Sequence, residues 1–354
     1  MNFDLDENQS LFKAAVERFS VGADVLARHR TRALAGGFDR ARWTALAELG
    51  LIALAAAEKD GGLGGSLHDC AVVAQALGKA QTVEPWLECG FLGARLLSST
   101  PMIKAIISGE TVAAFAFAEA GRRYVLDAAQ MRARRAGSGF TLSGEKQFVL
   151  NGAAADLFIV TANLDGSTEL FTVPRSTEGV DLKSYPVVDG SFATILTLRD
   201  VAVDAPLPGG AERLLGVIDD ARLLAAAEMV GLAQQLFDDT LNYVKAREQF
   251  GQPLGRFQVI QHNMVGGYEK VELMQSALYR ALLAPAPGRR REICGLKAFV
   301  GEAAIEVAHL AVQMHGGMGT TDELGIGHGL KRIMLLSKLF GDPASDLAAY
   351  AKAA

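Results

Sequence analysis

Two short segments of the chain carry residue types that could hold an anion. The first is Tyr243-Val244-Lys245-Ala246-Arg247-Glu248-Gln249-Phe250-Gly251-Gln252-Pro253-Leu254-Gly255-Arg256-Phe257-Gln258. It runs a helical pattern into a Gly–Pro break and reopens on an aromatic–amide pair. The second, Gln313-Met314-His315-Gly316-Gly317-Met318-Gly319, ends a helical pattern in bare backbone. Paired glycines leave N–H groups uncovered by any Cβ, so a phosphate or nucleotide edge can come close. Arg247 can supply the positive charge that a pyrophosphate needs. Read alone, each segment is first of all a helix hairpin.

Other chemistries find little support. Gly61-Gly62-Leu63-Gly64-Gly65 joins two helical patterns and follows no strand, so it fails the context of a dinucleotide fingerprint. There is no G-x-x-x-x-G-K-[ST] for a nucleotide triphosphate and no G-x-S-x-G nucleophile elbow. The six histidines form no H-x-x-x-H pair, which argues against zinc. Cys70, Cys89 and Cys294 are odd in number and far apart, so they make no disulfide framework.

The elements that must position these segments follow from periodicity. Residues 1–110 read as a helical domain, opened by the capping-box spacing of Asp6 and Gln9. Between 111 and 208 short apolar runs are bounded by turn residues, with Gly137-Ser138-Gly139 as a hairpin tip, which predicts a central antiparallel β domain. From 209 to 354 long apolar stripes return, such as Leu223, Ala227, Val230, Phe237, Leu241 and Val244, and they suit a four-helix bundle. The fold class is α+β. With 35 basic and 40 acidic side chains the net charge is −5, which argues against nucleic acid as a partner. The acidic start and the lack of a long uncharged apolar run predict no signal peptide and no membrane span, hence a soluble, cytoplasmic protein.

Together the two segments, about 65 residues apart, resemble the acyl-CoA dehydrogenase family. Arg247, Phe250, Gly251, Pro253, Leu254, Phe257 and Gln258 meet its R-x-x-F-G-x-P-[LI]-x-x-F-Q pattern. Gln313, His315, Gly316, Gly317 and Gly319 meet its Q-x-H-G-G-x-G pattern. The resemblance implies the cofactor FAD and an acyl-CoA substrate desaturated between its α and β carbons. It further implies that a glutamate removes the α-proton and that an electron-transfer flavoprotein takes the electrons. It assigns Arg247, Phe250, Phe257, Gln258, Gln313, Gly316 and Gly317 to the ADP half of an FAD whose ring lies in a neighbouring subunit. Asp219 and Arg222 match the family's Asp and Arg at the acyl-CoA entrance, where an Arg can meet a CoA phosphate or ribose; a helix-start ion pair is the other reading.

The departures from the family pattern are grouped. The family's T-E-P-x-x-G-S-D stretch stands here as Ala118-Glu119-Ala120-Gly121-Arg122-Arg123, and its W-I-T-N-G strand as Phe148-Val149-Leu150-Asn151-Gly152. Gly341 occupies the place of the catalytic Glu, and Ala221 the family's alternative place for it. Asp342, one residue off, is a weak replacement. The flavin-ring set and the base are lost while the neighbour-facing set is kept. That pattern resembles the small subunit of heteromeric dehydrogenases of the pimeloyl-CoA and steroid side-chain type, whose homologous partner supplies the catalytic Glu and the flavin-ring site. A self-sufficient homomer using Asp342 and a flavin-free assembly subunit remain as alternatives.

Overall fold

The structure is a computed structural model, and it describes residues 4–21, 26, 29, 30 and 38–352. Along the chain run α1 (Glu7–Ser20), α2 (Arg40–Glu48), α3 (Leu67–Lys79), a π-helical turn at Trp86–Phe91, α4 (Leu92–Leu96) and α5 (Ile103–Ile107). Seven strands follow: β1 (Ala113–Ala116), β2 (Arg132–Ala136), β3 (Gly139–Leu150), β4 (Leu157–Leu164), β5 (Ser167–Pro174), β6 (Val180–Pro186) and β7 (Phe192–Val203). Then come α6 (Gly210–Ala246), the short pair β8 (Glu248–Gln249) and β9 (Gln252–Pro253), α7 (Gln258–Leu282), α8 (Arg289–His315), α9 (Gly325–Lys338) and α10 (Pro343–Lys352).

The chain folds as two compact units. One comprises Met1–His29, Leu67–Thr82 and Arg222–Ala354; the other comprises Arg30–Ser66 and Val83–Ala221. The first is helical. Its α1 starts on the capping box that the sequence spells, with Asp6 Oδ1 accepting from Gln9 N and Gln9 Oε1 from Asp6 N. Glycine lets α3 and α6 cross at backbone contact. A Cβ on Gly231 would sit 1.9 Å from the Gln75 carbonyl oxygen, and one on Gly78 would sit 2.2 Å from that of Glu228. A buried ion pair, Arg332 Nε to Glu228 Oε1 at 2.7 Å, ties α9 to α6. Helix α8 packs on α7, α9 and α10. The expected four-helix bundle thus appears as four longer helices, α6 to α9, with α10 added.

The second unit holds a seven-stranded sheet in the order β1-β4-β2-β3-β7-β6, with β5 on the other edge of β4. The β2–β3 hairpin turns at Gly137-Ser138, Ala136 pairing with Gly139. Most pairings are antiparallel, as the turn signals predict. The exceptions are β1, which runs parallel to β4, and a single parallel bridge from β2 to β4. β6 escapes the sequence reading because its residues Val180-Asp181-Leu182-Lys183-Ser184-Tyr185-Pro186 lie at a sheet edge with no fully buried position. The sheet closes on Phe158, Val160, Phe171, Leu196, Leu198 and Val201, all 2% exposed or less.

Candidate functional site

After α6 the backbone makes a tight hairpin in which Glu248 pairs with Pro253 and Gln249 with Gln252. Its two tip residues, Phe250 and Gly251, have φ of +55° and +81°. Such a primed turn suits Gly or Asn and strains phenylalanine. Phe250 is nevertheless 88% exposed, steadied by an edge-on contact with the half-buried Phe257 at 6.2 Å. A strained, solvent-facing aromatic side chain points to binding rather than packing. Arg247 and Gln258 are exposed beside it, and among the described residues Arg247 makes no ion pair.

The glycines after α8 differ in their reasons for being glycine. Gly316 adopts φ +62° and ψ −143°, which L side chains avoid. Gly319 has no room, since a Cβ there would lie 2.8 Å from the Val312 carbonyl oxygen. Around Gly317, as around Gly316, a Cβ would meet nothing within 4 Å. The backbone of these two residues is thus open to solvent, with the exposed Gln313 one turn before. The hairpin and the glycine turn belong together: the ring of Tyr243, one helical turn before Arg247, stacks on His315 at 4.2 Å and 24°. An unpaired guanidinium and two exposed amides supply donors, and an exposed aromatic ring and glycine backbone free of side chains lie beside them, a combination that suits a phosphorylated nucleotide.

The Gly61–Gly65 loop offers no such set. Its Gly62, Gly64 and Gly65 N–H groups donate to the carbonyls of Ala57, Ala56 and Leu54.

In the sheet unit the stretch from Ala118 to Arg123 is organised around Glu119. Its carboxylate accepts from Lys146 Nζ at 2.6 Å and from the backbone N–H groups of Gln130 and Met131. Lys146 is fully buried and also donates to Thr161. Burial pushes its ammonium down to about 8, against the opposing pull of Glu119. Glu119 is held below the usual carboxylate range, because the hydrogen bonds from Lys146 and Met131 outweigh its own burial. Sequence reading passed over this pair, although Lys146 falls in the inward register of Leu142. Beyond it, β3 slips register between Lys146 and Val149, and Phe148 takes φ +54°.

The position of the expected base is closed. A Cβ on Gly341 would lie 2.3 Å from Oδ1 of Asp346. Asp346 is itself 1% exposed and lies 3.7 Å from Arg222 Nε. Arg222 Nε donates to the Phe340 carbonyl at 2.9 Å, and the fully buried Lys297 donates to the carbonyls of Ser337 and Gly341 at 3.1 Å each. Burial pushes the Lys297 ammonium down to about 8, offset in part by Asp346. Lys297 lies on the apolar stripe Ile293, Val300, Ala304, and a lysine at that spacing is the signal that would have found it. Arg222 thus has partners inside the helical unit, of the kind that the ion-pair reading of this residue expects. Asp219 is half-buried on the same helix. Ala221 is fully buried. Asp342 Oδ1 accepts from Ser345 N at 2.8 Å, while Asp342 N donates to Ser345 Oγ, so this carboxylate caps α10.

Among the described residues no group of three or more His, Cys, Asp or Glu could hold a metal, and no helix is long and apolar enough to cross a membrane.

Residues 6–104, 114–200 and 209–353 match the sequence models of the acyl-CoA dehydrogenase N-terminal, middle and C-terminal domains. Acyl-CoA dehydrogenase IpdE2 of Mycolicibacterium smegmatis is 31% identical, over 88% of this chain and 87% of its own. The probable acyl-CoA dehydrogenase YngJ of Bacillus subtilis is 29% identical, over 98% of this chain and 97% of its own. A variant of the Tcur3481-Tcur3483 steroid ACAD superposes with a TM-score of 0.85 at 25% identity, covering 98% of this chain and 96% of that one. The chain belongs to the acyl-CoA dehydrogenase family, FAD-dependent oxidoreductases that act on CH–CH groups.

Proposed function

We propose that this chain is one subunit of a heteromeric acyl-CoA dehydrogenase, whose homologous partner supplies the catalytic carboxylate and the flavin-ring site. The observation that carries this reading is the collision at Gly341. The place where the family resemblance puts a base has no side chain and no room for one, because the Asp346 carboxylate fills it. A general base must come within hydrogen-bond reach of the proton it removes, and neither Gly341 nor Ala221 can. The homomeric alternative rests on Asp342, which is engaged as a helix cap. That the Tcur3481-Tcur3483 relative bears a two-component name supports a two-chain assembly.

In this reading the chain comprises domains 1–110, 111–208 and 209–354, and its own part is to hold the ADP half of FAD. Arg247 would meet the pyrophosphate, Gly316 and Gly317 would let it approach the backbone, Gln258 and Gln313 would supply amide donors, and Phe250 and Phe257 would offer an apolar face. The unpaired guanidinium and the open glycines fit that group. When bound, FAD supplies the hydride acceptor for the substrate's β-carbon. Arg222 acts by fixing the Phe340 carbonyl, and Asp219 stays a candidate for the acyl-CoA entrance. The substrate is a fatty acyl or steroid side-chain thioester, the electrons pass to an electron-transfer flavoprotein, and the assembly is cytoplasmic.

The test is purification of the chain alone and together with co-expressed homologous candidates. The proposal expects full FAD occupancy and acyl-CoA oxidation only in a two-chain assembly. Stoichiometric FAD and full turnover from this chain alone would overturn it.

A further inference from the structure

The cofactor assignment above rests on two segments far apart in sequence, and it leaves open what holds them in register. Three observations converge on one pair of rings. Tyr243 lies on the last turns of α6, and Arg247 N donates to the Tyr243 carbonyl at 2.8 Å. His315 is the last residue of α8, 8% exposed, with Nδ1 bonded to the Ala311 carbonyl at 2.8 Å. Since a carbonyl can only accept, Nδ1 carries the proton and the ring plane is fixed. The Tyr243 ring lies over that imidazole at 4.2 Å and 24° from parallel.

Each ring is rooted in a helix and stands beside a candidate contact. Arg247 is one turn beyond Tyr243, and Gly316 directly follows His315, its N–H returning to the Gln313 carbonyl. Moving the imidazole therefore moves the Gly316–Gly317 backbone, and moving the Tyr243 turn moves Arg247. On the same face of α6, one turn before Tyr243, Asp239 is held by Gln235 Nε2 at 2.9 Å. Burial raises its carboxyl above the usual range while His315 acts in the opposite direction, which puts the imidazole in its electrostatic neighbourhood.

We infer that Tyr243 and His315 are positioning residues for the ADP half of FAD: their stack sets the spacing between the Arg247 guanidinium and the Gly316–Gly317 backbone. This rests on the cofactor reading and assigns neither ring a direct contact with the cofactor. The stack needs an aromatic face and no phenolic hydroxyl, so phenylalanine should serve at 243 and an aliphatic residue of similar bulk should not.

The experiment uses the flavin-bearing assembly, stripped of FAD and titrated with it, in the wild type and the variants Tyr243→Phe, Tyr243→Leu, His315→Gln and Arg247→Ala. Melting temperature and amide exchange of the flavin-free protein are followed alongside. FAD affinity should fall about three- to tenfold in Tyr243→Leu and in His315→Gln, the scale of an aromatic pair, and stay within about twofold in Tyr243→Phe. In Tyr243→Leu exchange should quicken at Gly316–Thr320 but not in α3, which global destabilisation would also affect. Wild-type affinity in Tyr243→Leu, with Arg247→Ala weakened, overturns the positioning role and leaves the cofactor site standing. Equal losses in Tyr243→Phe and Tyr243→Leu also overturn it. Wild-type affinity in Arg247→Ala overturns the cofactor site itself, and the positioning role with it.

Discussion

The Cβ that any residue except glycine would place at position 341 falls 2.3 Å from Oδ1 of Asp346 and 2.8 Å from its Cγ. Asp346 cannot readily withdraw. It is buried, Arg222 lies beside it, and Lys297 bonds the Gly341 carbonyl at the same turn. Position 341 is the floor of a buried charge cluster.

Placing a carboxylate at position 341 should therefore fail. Gly341→Glu overpacks a close-packed turn, at a cost of about 1–3 kcal/mol by the usual scale of inserted atoms, and pushes a second carboxylate against Asp346. The urea midpoint should drop and the chain alone should gain no acyl-CoA oxidation. A stable Gly341→Glu protein that turns over acyl-CoA unaided would show that the site was open after all.

A buried pair, Lys146 and Glu119, anchors the stretch from Ala118 to Arg123. Removing only the carboxylate in Glu119→Ala strands an ammonium and two backbone N–H groups. Breaking a buried pair in this way costs about 3–5 kcal/mol, so denaturant unfolding should register a loss of that size. The double variant Glu119→Leu, Lys146→Met should recover part of it, because no charge is left behind. If the single variant loses less than about 1 kcal/mol, on the scale of a surface pair, the pair does not anchor the loop.

Helices, strands and the turns of the two candidate segments were legible because each depends on local pattern: the capping box at Asp6–Gln9, the hairpin at Gly137-Ser138, the glycines of 316–319. The buried charges were not. The inward positions of Lys146 and Lys297 hint at burial, but nothing in the sequence names their partners: Lys297 and Gly341 are 44 residues apart, and Asp346 and its neighbour Arg222 are farther apart still. The partners of Arg222 were hidden for the same reason: its type suits a phosphate or an ion pair, and the fold shows it bonded to the Phe340 carbonyl and beside Asp346. The parallel course of β1 beside β4 was equally out of reach, since no turn chemistry records it.

The buried lysines give stability an unusual pH dependence. An unfolded lysine keeps its proton to about 10.5, whereas in the fold Lys146 and Lys297 release theirs at about 8. Between those values the unfolded chain binds more protons, so each lysine adds stability as pH rises, by at most about 1.4 kcal/mol per unit. Lys297→Met should be less stable than wild type, since the Ser337 and Gly341 carbonyls lose their donor. The gap should widen as pH rises from 8 to 10. Urea titrations at three pH values test this, and a constant or shrinking gap would contradict it.

Asp342 separates the heteromeric from the homomeric reading. Its carboxylate accepts from Ser345 N as the cap of α10, a task that asparagine performs about as well, whereas alanine forfeits about 0.5–2 kcal/mol. Asp342→Asn should thus leave both stability and acyl-CoA oxidation of the assembled enzyme near wild type, while Asp342→Ala should lower the melting temperature with turnover per folded enzyme little changed. A base that removes the α-proton behaves otherwise, because an amide cannot take a proton and proton transfer contributes about 10²–10⁴-fold. Steady-state turnover of Asp342→Asn decides between them. A collapse on that scale, with the fold intact, would make Asp342 the base and the partner's carboxylate unnecessary.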